Sequence, residues 1–221
     1  YEQMLVKLAA DNRTLKQIRS NERKADKKRE LLPFYLPWVA GVLENGKGAQ
    51  DDIVMTVMLW RLDADDIAGA LEIARYAMTY GLTMPTGRRP TPYLLAEEVA
   101  LAAQRLLAAK QPVELANLLD TIALTERADM PDIVRAKLHK ITGYVLLDAN
   151  QLPEALAHLQ RAIQLERTIG VKKDIEQLER QLRPKPEPAP KTKTTKPRTR
   201  KPAAKPAARR GRPPKAAKAA G

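Results

Sequence analysis

"HKITGYVLLDANQLPEALAHLQRAIQLE", His139 to Glu166, decides how this chain folds. Its Gly143, Leu146, Ala155, Leu159 and Ala162 alternate small and large residues in the manner of a tetratricopeptide helix hairpin, where small side chains let two helices approach closely. "DIAGALEIARYAM", Asp66 to Met78, repeats part of the pattern through Ala70, Ala74 and Ala77. One full and one partial match fall short of the roughly three repeats that a solenoid requires. The two stretches are therefore read as local hairpins within a single bundle.

Helical character extends outward from both stretches. Glycine and aromatic residues are sparse, β-branched runs are short, and Ala and Leu dominate. The fold class that follows is all-α: a multi-helix bundle with tetratricopeptide-like helix hairpins, followed by a disordered basic C-terminal tail. Residues 1–32 read as a charged helical arm. Leu5, Leu8 and Leu15 stand there at heptad-like spacing around Asn12, which suits a short coiled coil or a solvent-exposed arm. Residues 33–183 read as the helical core domain and 184–221 as the tail. The chain opens at Tyr1 in sequence that is already helical, without an initiator Met, so a further N-terminal piece is expected.

Within the core, Pro33 and Pro37 bracket "PFYLPW", an apolar turn whose Phe34, Tyr35 and Trp38 are expected to pack a helix junction. A helix opens on Asp51 and Asp52, both favourable at the positive end of its dipole. The next, Asp65 to Leu82, ends on Gly81 as a C-terminal cap. A loop with Arg88 and Arg89 spans Thr83 to Pro92. Helices follow over roughly 93–109, 112–127, 131–148 and 153–168, with Pro112, Pro131 and Pro153 at first-turn positions where a missing N–H costs nothing. The last helix carries Val171, Ile175, Leu178 and Leu182 on one stripe, which either finishes the core or dimerises. A homo-oligomer is expected.

Charge divides the chain more sharply than hydrophobicity does. The formal net charge is +13, and residues 184–221 hold 13 Lys and Arg against the single acid Glu187, leaving 26 basic and 25 acidic side chains in the body. The tail, "KPEPAPKTKTTKPRTRKPAAKPAARRGRPPKAAKAAG", has no apolar face to bury and reads as disordered with extended character. Such a tail binds polyanions by releasing condensed counterions. Nothing amphipathic accompanies these charges, so nucleic acid ranks ahead of a membrane surface. Arg209, Arg210, Gly211, Arg212, Pro213 and Lys215 resemble an AT-hook, with Arg198, Arg200 and Lys201 as further DNA contacts upstream. The prolines hold the backbone extended, Gly211 allows close approach, and the arginines suit a narrow A·T-rich minor groove. A solvated basic tail touching phosphate indiscriminately is the alternative.

The residues capable of chemistry are few. With no cysteine, a disulfide framework and a cysteine-based zinc site are excluded. No apolar run reaches the roughly eighteen residues of a membrane span, and no secretory signal is visible, so the setting is read as cytoplasmic. Walker, Gly-x-Gly-x-x-Gly, nucleophile-elbow and His-Glu-x-x-His motifs are missing. A Mg²⁺ nuclease would draw on Asp51 with Asp52, Asp63 with Asp65 and Asp66, Glu97 with Glu98, or Asp129 with Asp132. Each pair is more simply a set of helix-start acids. His139 and His158 read as structural or surface residues. No catalytic or metal-ligating residue is assigned, no cofactor follows, and Mg²⁺ enters only if the chain is itself a nuclease.

Four stretches carry a resemblance: "YEQMLVKLAADNRTLK", "KKRELLPFYLPWVAGVLENGKGAQDDIVMTVMLWRLDADDIAGALEIARYAMTYGLTMP", "ADMPDIVRAKLHKITG" and "ALAHLQRAIQLERTIGVKKDIEQLERQLRPKPEP". Together they cover most of residues 1–188, and the chain resembles the terminase small subunit, or terminase endonuclease subunit, of Peduovirus-type tailed phages and their prophages. The resemblance implies binding of duplex DNA at the cohesive-end packaging site, directed cleavage and packaging of concatemeric DNA, and work with a large ATPase subunit in the host cytoplasm. Cleavage chemistry in this chain, as a metal-dependent endonuclease, is the alternative. Without the family, the residues also allow a cellular AT-hook scaffold protein.

Overall fold

A computed structural model describes residues 1–85 and 87–184. Among them are nine α-helices and no strand: α1 (Glu2–Gln17), α2 (Asn21–Asn45), α3 (Asp52–Asp63), α4 (Ile67–Tyr80), α5 (Thr91–Ala108), α6 (Leu115–Thr125), α7 (Asp132–Asp148), α8 (Leu152–Leu165) and α9 (Lys172–Leu182). The all-α expectation holds for these residues. The tail lies outside them.

The centre of the larger core is α3. Ile53, Val54, Met55, Val57, Met58, Trp60 and Leu62 are all buried, so the helix is apolar around its circumference, the pattern of a helix enclosed by others. It packs against α1, α2, α4 and α5. The expected start at Asp51 is correct: its Oδ1 accepts from the Ile53 and Val54 amides at 2.9 and 3.0 Å. Its Oδ2 accepts from the Trp38 indole at 3.0 Å, tying α2 to the same carboxylate. Tyr35, fully buried, donates to Asp11 of α1 at 2.5 Å and meets Trp60 edge to face. Burial and that carboxylate hold the Tyr35 hydroxyl well above its ordinary pKa. Leu8 and Leu15 bury in the same cluster.

"PFYLPW" is not a turn: α2 runs straight through it. Pro33 and Pro37 are one helical turn apart and both exposed, so the missing N–H groups fall on the solvent side, where water can satisfy the freed carbonyls. Leu32, Tyr35 and Val39 bury on the other face. Phe34 is half-exposed, with Lys7 of α1 over its ring at 4.6 Å, while Tyr35 and Trp38 pack inward. Farther on, Gly81 caps α4 in the left-handed region at φ 71°, as its position predicts. Pro153 stands in the first turn of α8, but Pro112 precedes α6 by three residues and Pro131 is the residue before α7.

A second cluster joins α7, α8 and α9 through Ala136, Leu146, Ala155, Leu159, Ala162, Val171, Ile175 and Leu178. The α9 stripe thus finishes the core. Only Leu182 at its end stays substantially exposed. The hairpin expected from His139–Glu166 is present as α7 and α8. A Cβ added at Gly143 would stand 2.7 and 2.8 Å from Leu159 side-chain carbons and 3.4 Å from the Ala155 carbonyl oxygen, so only glycine permits this approach. Gly143→Val should therefore destabilise the fold by about 1–3 kcal/mol through overpacking, read as a lower urea midpoint by circular dichroism. An unchanged midpoint would show that the two helices do not meet closely there.

Candidate nucleic-acid interface and the acidic clusters

All the DNA-binding residues expected from sequence, Arg198, Arg200, Lys201, Arg209, Arg210, Gly211, Arg212, Pro213 and Lys215, lie outside the described residues. The folded body supplies a separate basic surface at the corner between α1 and α2. Buried Leu15 anchors the end of α1, Ile18 turns the chain in an extended conformation, and Ser20 caps α2 by accepting from the Arg23 amide at 3.2 Å. Arg13, Lys16, Arg19 and Arg23 are exposed around this turn and Lys24 is half-buried. None of the five has an ion-pair partner among the described residues, and Glu22 is the one acid between positions 13 and 24.

The neighbouring cations behave differently. Lys27 pairs with Glu30, Lys28 with Asp63, and Arg29 with Asp26 and Asp65. Unpaired cations at a helix start, where backbone amides also point outward, suit an extended polyanion. The scarcity of acids from 13 to 24 is legible in the sequence; the partners of Lys28 and Arg29 are not, because Asp63 and Asp65 lie more than thirty positions away.

Those acids are the former metal-ligand candidates. Asp51 and Asp66 are helix caps, as expected, and Asp66 accepts from the Gly69 amide at 2.9 Å and from Arg61 at 3.1 Å. Asp52 accepts from Gln50 at 3.0 Å, and Asp132 opens α7. The helix-start reading is corrected for four others. Asp63 ends α3, and Asp65 sits at φ 65° in the following turn, accepting from Arg29 at 3.3 Å and Arg105 at 2.9 Å. Glu97 and Glu98 fall in the middle of α5. Glu97 pairs with Arg89, while burial and nearby Asp63 raise the Glu98 pKa. Among the described residues no group of three or more His, Asp or Glu side chains is placed to hold a metal ion.

The two histidines meet. His139 of α7 and His158 of α8 place their Nδ1 atoms 3.0 Å apart, so one ring donates and the other accepts. Burial lowers the pKa of both, and for His139 the facing His158, Arg161 and Arg135 lower it further, to about 4. Because the unfolded chain takes up these protons near pH 6.5 and the folded one does not, stability contributed by the neutral pair is present above about pH 6.5. It is lost as pH falls toward about 4. Urea midpoints measured across that window should fall with pH in the parent and fall less in His139→Phe; equal slopes in the two proteins would remove the histidine pair as the cause.

No helix among the described residues is long and apolar enough to cross a membrane. The family model for the phage small terminase subunit matches residues 5–133. The "Terminase, endonuclease subunit" of Escherichia phage P2 is 66% identical over 218 residues, covering 98% of this chain and 87% of that protein. The "Probable terminase, endonuclease subunit" of Haemophilus phage HP1 (strain HP1c1) is 28% identical over 193 residues, covering 80% of this chain and 68% of that protein. No solved structure matches. With more than half of its residues, from within α1 to the start of α7, inside the matched span and nearly its whole length aligned to the phage P2 protein, the chain belongs to the phage small terminase subunit family.

Proposed function

We propose that the chain binds duplex DNA at the cohesive-end packaging site and directs its cleavage and packaging with a large ATPase subunit, in the host cytoplasm. The unpaired basic corner between α1 and α2 carries this reading. It offers five cations within twelve residues, and the tail sequence adds 13 more. Each phosphate neutralised releases counterions, so the corner and the tail both add to affinity and to its salt dependence. The rigid corner fixes orientation on the backbone, and the tail, as a hook or as a plain cationic arm, lengthens the contact.

DNA-binding titrations at several salt concentrations test this. Deleting residues 185–221 should weaken binding and flatten the salt slope, and Arg13, Arg19 and Arg23→Gln in the truncated chain should flatten it further, by about one per residue that meets a phosphate. A truncated chain with the parent's slope, or a triple variant indistinguishable from its truncated parent, would overturn the assignment.

The second reading, that the chain itself cuts DNA, is favoured by the names of the phage P2 and phage HP1 relatives, both endonuclease subunits. The geometry supports a directing role instead, because Asp51, Asp63, Asp65, Asp66 and Glu97 are already committed to caps and ion pairs. Asp65→Asn and Glu97→Gln should each leave cohesive-end cleavage by the two-subunit complex within a few fold, with folding checked by circular dichroism. Loss of a metal-ligating carboxylate would cost orders of magnitude. Such a loss in one correctly folded, DNA-binding variant would make this chain the nuclease.

A further inference from the structure

A groove of about 540 Å³ opens between α5 and α7 and is bounded by Thr168 and Ile169. Its apolar surface includes Leu107, Ile141 and Ile169, and Leu101 and Ile133 stand exposed along it. The charged residues lining it are Lys137 and Lys140, with no carboxylate. Lys140 is fixed by donating to the Ile169 carbonyl at 2.7 Å. Lys137 is exposed and has no ion pair among the described residues.

This chemistry selects its occupant. The chain's own tail has the same sign of charge as the two lysines, and duplex DNA presents phosphate where the groove presents hydrocarbon. An amphipathic helix satisfies both features when apolar residues on one face enter the groove and carboxylates beside them meet Lys137 and Lys140. Leu101 and Ile133, 38% and 36% exposed, extend the apolar surface that a partner helix would cover. The proposed function gives the chain a large-subunit partner. We propose that the α5–α7 groove receives an apolar helix flanked by carboxylates from the large terminase subunit. This rests on reading the chain as a DNA-packaging subunit with a large-subunit partner, and it adds the surface and the chemistry of that contact.

The test uses the full chain and the purified large subunit, with affinity measured by biolayer interferometry. Leu101→Glu and Lys137→Glu change exposed positions on the groove that belong to neither the α1–α2 corner nor the tail sequence. Each should weaken large-subunit binding by about tenfold or more, Lys137→Arg should retain it, and DNA affinity should stay unchanged. Binding of both Glu variants within about twofold of the parent would overturn the groove assignment while leaving the proposed function intact. Equal loss in Lys137→Arg would overturn the charge argument. A fall in the chain's own oligomeric mass, measured by light scattering without the large subunit, would mean that a second copy occupies the groove and would likewise overturn the assignment. If the parent chain shows no affinity for the large subunit, the partnership itself fails, and the groove assignment with it.

Discussion

The carboxylate of Asp51 is the constraint on which the larger core depends. It is buried, and it accepts from the Ile53 and Val54 amides and the Trp38 indole. A buried carboxylate is tolerable only when such donors replace water, and removing one leaves a cost larger than the bond itself gained. Asp51 therefore sets where α3 begins and holds α2 beside it. Since α3 is buried on every side, the helices around it inherit their placement from that start. Asp11 repeats the device between α1 and α2 by accepting from Tyr35 and Lys7.

Acids in this protein largely serve the fold. Asp63 and Asp65 draw Lys28, Arg29 and Arg105 onto the turn between α3 and α4, while Asp66 caps α4 and holds Arg61. The cations just before Lys27 have no acidic partner among the described residues, which gives a nearly neutral body a locally basic corner. Exposed ion pairs of this kind add little stability individually. They neutralise Lys28, Arg29, Arg61 and Arg105, which leaves the net positive charge of this region on the segment before Lys27.

The two clusters divide the chain's work. The first includes α1 to α6 and part of α7, and the family match from residue 5 to 133 falls on it. The second is built on the α7–α8 contact at Gly143 and closed by α9. α7 contributes to both, with Val134 and Leu138 toward the first and Ala136 and Leu146 toward the second. The same helix leaves Lys137 and Lys140 on the groove it shares with α5.

Local sequence determined much of this protein. The helical class, the close α7–α8 hairpin, the Asp51 start and the Gly81 stop follow from spacing, side-chain size and the backbone preferences of single residues, which act within a few positions. The tail's charge and its hook-like arginines are likewise properties of composition. Tertiary structure decided the rest. Two prolines remain inside α2 because packing turns them toward solvent and buries Leu32, Tyr35 and Val39 opposite. His139 and His158 touch only because two helices close on a glycine. Lys28 and Arg29 are neutralised by Asp63 and Asp65, distant in sequence, whereas the scarcity of acids around Arg13, Lys16, Arg19, Arg23 and Lys24 is local. Charge pairing across helices depends on three-dimensional proximity, which the spacing of residues along a single helix does not encode.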